Sequence, residues 1–335
     1  MNEKNIKTII KRYIDRRVIP GATYLVGDKN SPLIHGVLGN HQIVPYERAI
    51  RTGLYYDIAS LTKLLITTPL IIKLIDMREI SLSDPISRFF SPLPDEKREV
   101  TIFHLLTHTS GFYSYLLDLS GVRRDNVMEK ILRQPLENPI GKKVTYSCIN
   151  FVTLFYIVKK ITNREPYEVA RDWFYGPLGM NEILYNPLKH NIKKEDIAPT
   201  TENPERGLIH GVVHDPLAAH LSGISGNAGL FSTVDSLYRY AKMILNRGEG
   251  ILSEEIVKRM EKNYTEGLGS DRGLGWQILG RLIGHTGYTG TSLYFSRKQE
   301  RVAILLTNRV HPKDLHKEEI QVLRKEFHEE VFGEI

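Results

Sequence analysis

Leu54-Tyr55-Tyr56-Asp57-Ile58-Ala59-Ser60-Leu61-Thr62-Lys63-Leu64-Leu65-Ile66 is the stretch on which the reading of this chain turns. Leu54 to Ile58 reads as a strand, and the apolar run after Ser60 reads as a helix. Ser60 and Lys63 form the chain's only S-x-x-K. Residues three apart on a helix share a face, so Oγ and Nζ should meet over the first turn. A serine hydroxyl is too weakly acidic to attack a carbonyl unaided, and this spacing supplies a nearby amine. The free N–H groups of a helix start add positive potential at the same point. Ser60 is thus a candidate nucleophile, although a chain of this composition holds roughly one S-x-x-K by chance.

Further elements follow in order. They are Leu105-Leu106-Thr107-His108-Thr109-Ser110-Gly111, Tyr146-Ser147-Cys148, Val213-His214-Asp215, Gly226-Asn227-Ala228-Gly229-Leu230-Phe231-Ser232-Thr233, and Gly284-His285-Thr286-Gly287-Tyr288. Together with Ser60-Leu61-Thr62-Lys63 they resemble the serine beta-lactamase and penicillin-binding-protein superfamily. The likeness is to the branch holding class C beta-lactamases, D-alanyl-D-alanine carboxypeptidases and related esterases. That resemblance implies that Ser60 is the nucleophile, that Lys63 and Tyr146 form the proton-transfer pair, and that His285-Thr286-Gly287 is the strand flanking the substrate. The backbone N–H groups of Ser60 and Tyr288 would form the oxyanion hole. Tyr and Lys both have unperturbed pKa values of about 10, so each needs its neighbours to act near neutral pH, and which accepts the first proton stays open.

Two positions depart from the family pattern. Cys148 stands where the family usually carries the Asn of Tyr-x-Asn, and a thiol cannot replace a carboxamide's paired donor and acceptor. His285 stands where many members carry the Lys of Lys-Thr-Gly, and an ordinary histidine is only roughly one quarter protonated at pH 7. Both changes favour carboxylic esters over amides and lactams. The runner-up is a D-alanyl-D-alanine carboxypeptidase or D-amino-acid peptidase, followed by a beta-lactamase. The non-enzyme alternative is an inactive binding module of the same fold. Expected partners are therefore small ester, peptide or lactam substrates.

Composition fits a mid-sized enzyme. The chain has 335 residues, 41% of them hydrophobic, which allows an ample core. A net charge of +6 is spread along the chain without a basic stripe or nucleic-acid motif, so nucleic-acid binding is not expected. The single cysteine excludes an intrachain disulfide, and Cys148 reads as a small buried side chain. The N-terminal segment lacks a secretory pattern, and no apolar run is long enough to span a bilayer, so the expectation is a cytoplasmic protein off the membrane. No metal is expected. His104 and His108 lie four apart on an expected helix but without a zincin glutamate, and His210, His214 and His220 lack a completing ligand pattern. Gly223, Gly226 and Gly229 read as a tight loop rather than a phosphate cradle, so no cofactor is expected. The chain also lacks G-x-S-x-G.

The expected fold class is α+β, an antiparallel sheet flanked by helices beside a helical lobe, as in beta-lactamases and transpeptidases. Ile6, Ile9, Ile10, Tyr13 and Ile14 mark an amphipathic helix, followed by a hairpin of Ala22 to Val26 and Leu33 to Leu38. Pro69 predicts a kink in the helix after Ser60. Strands are expected at Gly275 to Leu279, Arg281 to His285, Thr291 to Ser296 and Arg301 to Asn308, with a final helix over Asp314 to Phe332. Residues 1–80 and 270–335 would form a split sheet domain and 81–269 a mainly helical one, with the site between them. If Cys148 sets specificity, Cys148→Asn will raise beta-lactam acylation relative to ester cleavage. An unchanged ratio in a paired kinetic assay removes it from the argument.

Overall fold

Strands from the two ends of the chain build one seven-stranded antiparallel sheet. In the computed structural model, which describes residues 1–335, they are β1 (Gly21–Asp28), β2 (Pro32–Gln42), β3 (Arg48–Ala49), β4 (Gln277–Leu279), β5 (Leu282–Thr286), β6 (Ser292–Ser296) and β7 (Arg301–Leu306). Their spatial order is β3-β2-β1-β7-β6-β5-β4. β1 and β7 close the sheet, with Thr23 opposite Leu306 and Asp28 opposite Arg301. Both central strands are almost wholly buried because helices cover both faces, which explains their apolar runs.

Five helices position the site: α1 (Glu3–Asp15), α2 (Thr68–Asp76), α3 (Cys148–Thr162), α4 (Val234–Leu245) and α5 (Glu319–Phe332). Side chains alternate across a strand, so Tyr24 and Val26 face one way and Leu25 the other. Tyr24, Val26, Ala303 and Leu305 pack against Ile6, Ile10 and Tyr13 of α1 and Leu323 and Phe327 of α5. Leu25, Phe295, Val302 and Ile304 join the larger core, which runs through α4 and α2 to α3. No helix is long and apolar enough to cross a membrane.

The stretch before Ser60 does not enter this sheet. Tyr56–Asp57 pairs with Leu230–Ser232, which also pairs with Ile183–Tyr185, giving a separate three-stranded sheet. Two of those strands come from the stretch read as helices and loops. Segments of three buried residues are too short to show a strand's alternation.

The expected kink at Pro69 takes the form of a π-helical turn, Lys63–Thr67, followed by α2 with Pro69 near its start. Proline offers no N–H to the carbonyl four residues earlier. That carbonyl, of Leu65, instead accepts from Tyr175 Oη at 2.9 Å. The Leu65 carbonyl is therefore not left stranded in the core.

Asp57 fixes the turn into Ser60. It is 3% exposed. Its Oδ1 accepts from Ala59 N at 2.9 Å and its Oδ2 from His214 N at 2.7 Å. Ala59 has φ of 46°, a left-handed conformation that a non-glycine residue holds only when its surroundings impose it. Burial pushes the Asp57 carboxyl up to about 6, against the pull of the two N–H donors.

Because its folded pKa is raised above the ordinary 3.8, Asp57 favours folding while protonated, and that contribution is lost as pH rises through about 6. Asp57→Asn removes this titration. The stability difference, wild type minus mutant, should fall by up to about 3 kcal/mol between pH 4 and 7 and then level off. Urea unfolding at a series of pH values checks this, and a difference independent of pH would contradict it.

Candidate active site

Lys63 is wholly buried, and its three N–H groups point at three acceptors from different parts of the chain. Nζ lies 3.0 Å from Ser60 Oγ, 3.1 Å from Asn227 O and 3.6 Å from Cys148 Sγ. An ammonium has three donors and no acceptor, so this set of partners suits the charged form. Burial pulls the ammonium down, but the anionic forms of Cys148 and Tyr146, together with Asp215, outweigh it and hold Lys63 above its ordinary value. Burial pushes the Cys148 thiol up, and the neighbouring Lys63 charge only partly opposes that.

The Gly226-Asn227 loop reaches Lys63 because it docks on the π-helical turn. Thr67 Oγ1 donates to Gly226 O at 2.7 Å. A Cβ at Gly226 would stand 2.2 Å from Phe151 O, so only glycine allows this approach.

Tyr146 enters just before α3. Its ring lies between those of His108 and His285, at centroid distances of 4.7 and 5.6 Å. Lys63 Nζ is 4.9 Å and Arg272 Cζ 5.5 Å from the Tyr146 centroid. Burial, with Arg272 and Lys63 nearby, pushes His285 well below the ordinary histidine value. Its Nδ1 bonds Thr286 O at 2.7 Å, as an N–H donor to a carbonyl must. The residue in the lysine position of the family pattern is therefore neutral, not partly charged.

His104 and His108 do not share a helix face. The helix ends at Leu106, and His108 follows with φ of 59°. His104 Nδ1 accepts from Thr101 N at 3.1 Å, while His108 Nδ1 accepts from Ser147 N at 3.0 Å, ahead of α3. His210 bonds the carbonyls of Lys194 and Ile197, and His214 stacks on Tyr288. Capping and loop bonding account for His104, His108 and His210, whereas His214 packs on Tyr288 with its Nδ1 unpartnered. Cys148, expected as a core side chain, is only partly buried and lines a cavity beside Ser60.

β5 carries His285 and Thr286 to the site, and the chain turns at Gly287. A Cβ there would lie 2.6 Å from Ile58 O, so the turn packs directly on the backbone that leads into Ser60. The backbone N–H groups of Ser60 and Tyr288 have no hydrogen-bond partner in the protein. Ser60, Tyr146 and Tyr288 stand between two cavities of about 430 and 520 Å³. The first adds Arg272, His285 and Gly287, and the second Tyr115, Cys148 and Asp215.

Sequence reasoning missed Asp57, Arg272 and the part played by Asn227. Asp57 lay inside the quoted stretch, where an acidic residue three positions before Ser60 could have drawn attention. Arg272 had no local signal. It is 8% exposed, its Nε has no hydrogen-bond partner, and only tyrosines raise its pKa against the lowering by burial.

The beta-lactamase family profile matches residues 6–326. A protein of Escherichia coli O157:H7, provisionally named a D-alanyl-D-alanine carboxypeptidase, is 29% identical over 306 residues, covering 78% of this chain and 70% of its own. Among solved structures, an octameric penicillin-binding protein homologue from Pyrococcus abyssi superposes with TM-score 0.78 and 22% identity, covering 100% of this chain and 78% of the other. EstCE1, a hydrolase with promiscuous acyltransferase activity, superposes with TM-score 0.77 and 17% identity, covering 96% and 97% of the two chains. Those two likenesses show the fold. A family match running from α1 into α5 goes further: this chain belongs to the beta-lactamase family and is a hydrolase of that kind.

Proposed function

We propose that the protein cleaves small acyl substrates bearing a carboxylate beside the scissile bond, such as D-amino-acid-terminated peptides and the corresponding esters, through a Ser60 acyl-enzyme. The observation that carries this is Arg272, a buried guanidinium without a carboxylate partner that lines the Ser60 cavity and lies over Tyr146. A buried cation without a partner is costly, and a substrate carboxylate would satisfy it with paired N–H donors. The relative named as a carboxypeptidase supports the same class.

In this reading Ser60 Oγ attacks the carbonyl carbon while the electron pair of the C=O bond moves to oxygen. With its three N–H groups donating, Lys63 has no lone pair for the Ser60 proton, so the phenolate form of Tyr146 accepts it and, as the phenol, returns it to the leaving group. The free N–H groups of Ser60 and Tyr288 bind the oxyanion, each worth about 3 kcal/mol in the transition state. Water then releases the acyl group by the same steps in reverse. A second reading, neutral carboxylic esters, is favoured by uncharged His285 and by Cys148 in place of a carboxamide.

Intact-mass measurement after a fluorophosphonate should show one adduct on wild type and none on Ser60→Ala. Absence of the wild-type adduct would remove Ser60 as nucleophile. Arg272→Met should lower kcat/KM by about 10- to 100-fold for a substrate with a D-lactyl or D-alanyl leaving group, the size of a lost charged hydrogen bond. A neutral aryl ester should change by less than about threefold. Equal losses on both substrates would sink the carboxylate reading and leave the neutral-ester one.

A further inference from the structure

Arg324 is a buried cation that the proposed chemistry leaves without a role. It projects from α5, is 5% exposed, and lines the Ser60 cavity. Its Nη2 donates to two carbonyls of the turn after β5, that of Gly287 and, at 2.8 Å, that of Thr291. Nη1 reaches only Gln321 Oε1, at 3.4 Å, and Nε has no partner. No carboxylate offsets the charge, and burial pulls the guanidinium down to about 10, still ionised at neutral pH.

The Gly287 carbonyl belongs to the same peptide unit as the Tyr288 N–H. A peptide bond is planar and trans, so its C=O and N–H point in opposite directions. Whatever grips the Gly287 oxygen therefore sets where the Tyr288 N–H points. That N–H is without a protein partner, and Gly287 packs on the backbone leading into Ser60. Arg309 fixes the next unit, donating from Nη2 to Tyr288 O at 2.9 Å, but its charge is answered by Asp314.

We propose that Arg324 backs the oxyanion hole: it holds the Gly287–Tyr288 peptide by its carbonyl, aims the Tyr288 N–H at the substrate oxygen, and polarises that N–H as negative charge develops. This rests on the reading of Ser60 and Tyr288 as oxyanion donors. Arg324 is a positioning residue, because it acts through the peptide and not on the substrate. Holding two carbonyls requires only neutral donors, which a glutamine amide can supply. The buried, unpaired charge is what a purely structural tie would not need. A fixed charge behind a donor strengthens it most when an anion forms in front, so the effect belongs to the transition state more than to the bound substrate.

The test compares Arg324→Lys and Arg324→Gln with wild type, using kcat and KM on a neutral aryl ester and the Ki of an arylboronic acid, whose Ser60 adduct is a tetrahedral anion. Thermal melting first establishes that each variant is folded. R324Q should lose about 10- to 100-fold in kcat and weaken boronate binding in parallel, with KM within about threefold. R324K, which keeps the charge, should stay within about fivefold on both measures. The proposal is overturned if folded R324Q matches wild type, or if folded R324K loses as much as R324Q. Should R324Q not fold, a loss beyond tenfold in folded R324K overturns it equally. Fluorophosphonate labelling separates the two levels: no Ser60 adduct on wild type defeats the underlying reading, whereas wild-type labelling with an unimpaired R324Q defeats only the role of Arg324.

Discussion

The buried ammonium of Lys63 is the contact on which the rest of the site depends. A single cation with three N–H groups is satisfied by its own helix through Ser60, by the Gly226-Asn227 loop and by the first residue of α3. Burying such a charge without partners would be prohibitive, so the three segments are held in one relative placement wherever the protein is folded. The π-helical turn, the glycine at 226 and the Asp57 clamp are the local arrangements that let those segments approach.

Around this centre the protein gathers cations and few anions. Arg272 and Arg324 line the same cavity as Ser60 without a carboxylate, and only Arg309 there is paired, with Asp314. Neutral His285 and His108 flank Tyr146 instead of adding charge. An unbalanced set of this kind opposes folding and favours a bound or developing anion. Local rules of packing are broken here and obeyed elsewhere, as is usual where function sets the residues.

Features that depend on near neighbours were legible in the sequence. The Ser60 and Lys63 pairing follows from helical spacing, the α1 stripe from apolar periodicity, and β5 to β7 from alternation and turns. The resemblance to beta-lactamases supplied the placement of Tyr146 and His285. What escaped reading depends on closure of the tertiary structure. Nothing near Arg272 or Arg324 says that their guanidinium groups lose water, and the charge of His285 cannot be known before its burial is. Two strands of the small sheet, Ile183–Tyr185 and Leu230–Ser232, escaped because they are too short to carry a pattern.

The pairing of β1 with β7 also fixes when the enzyme comes into being during synthesis. Ser60, Lys63 and Tyr146 emerge from the ribosome well before Tyr288 and Arg324, while the sheet can close only after β7 has been made. Until then β1 has one unpaired edge, and Ser60 has no strand across from it. A nascent chain not yet extended through β5 and the turn after it thus carries Ser60 and Lys63 without the Tyr288 N–H. If the Ser60 and Tyr288 donors act together as proposed, the order of synthesis withholds hydrolysis from a chain in which β1 and β7 have not yet paired.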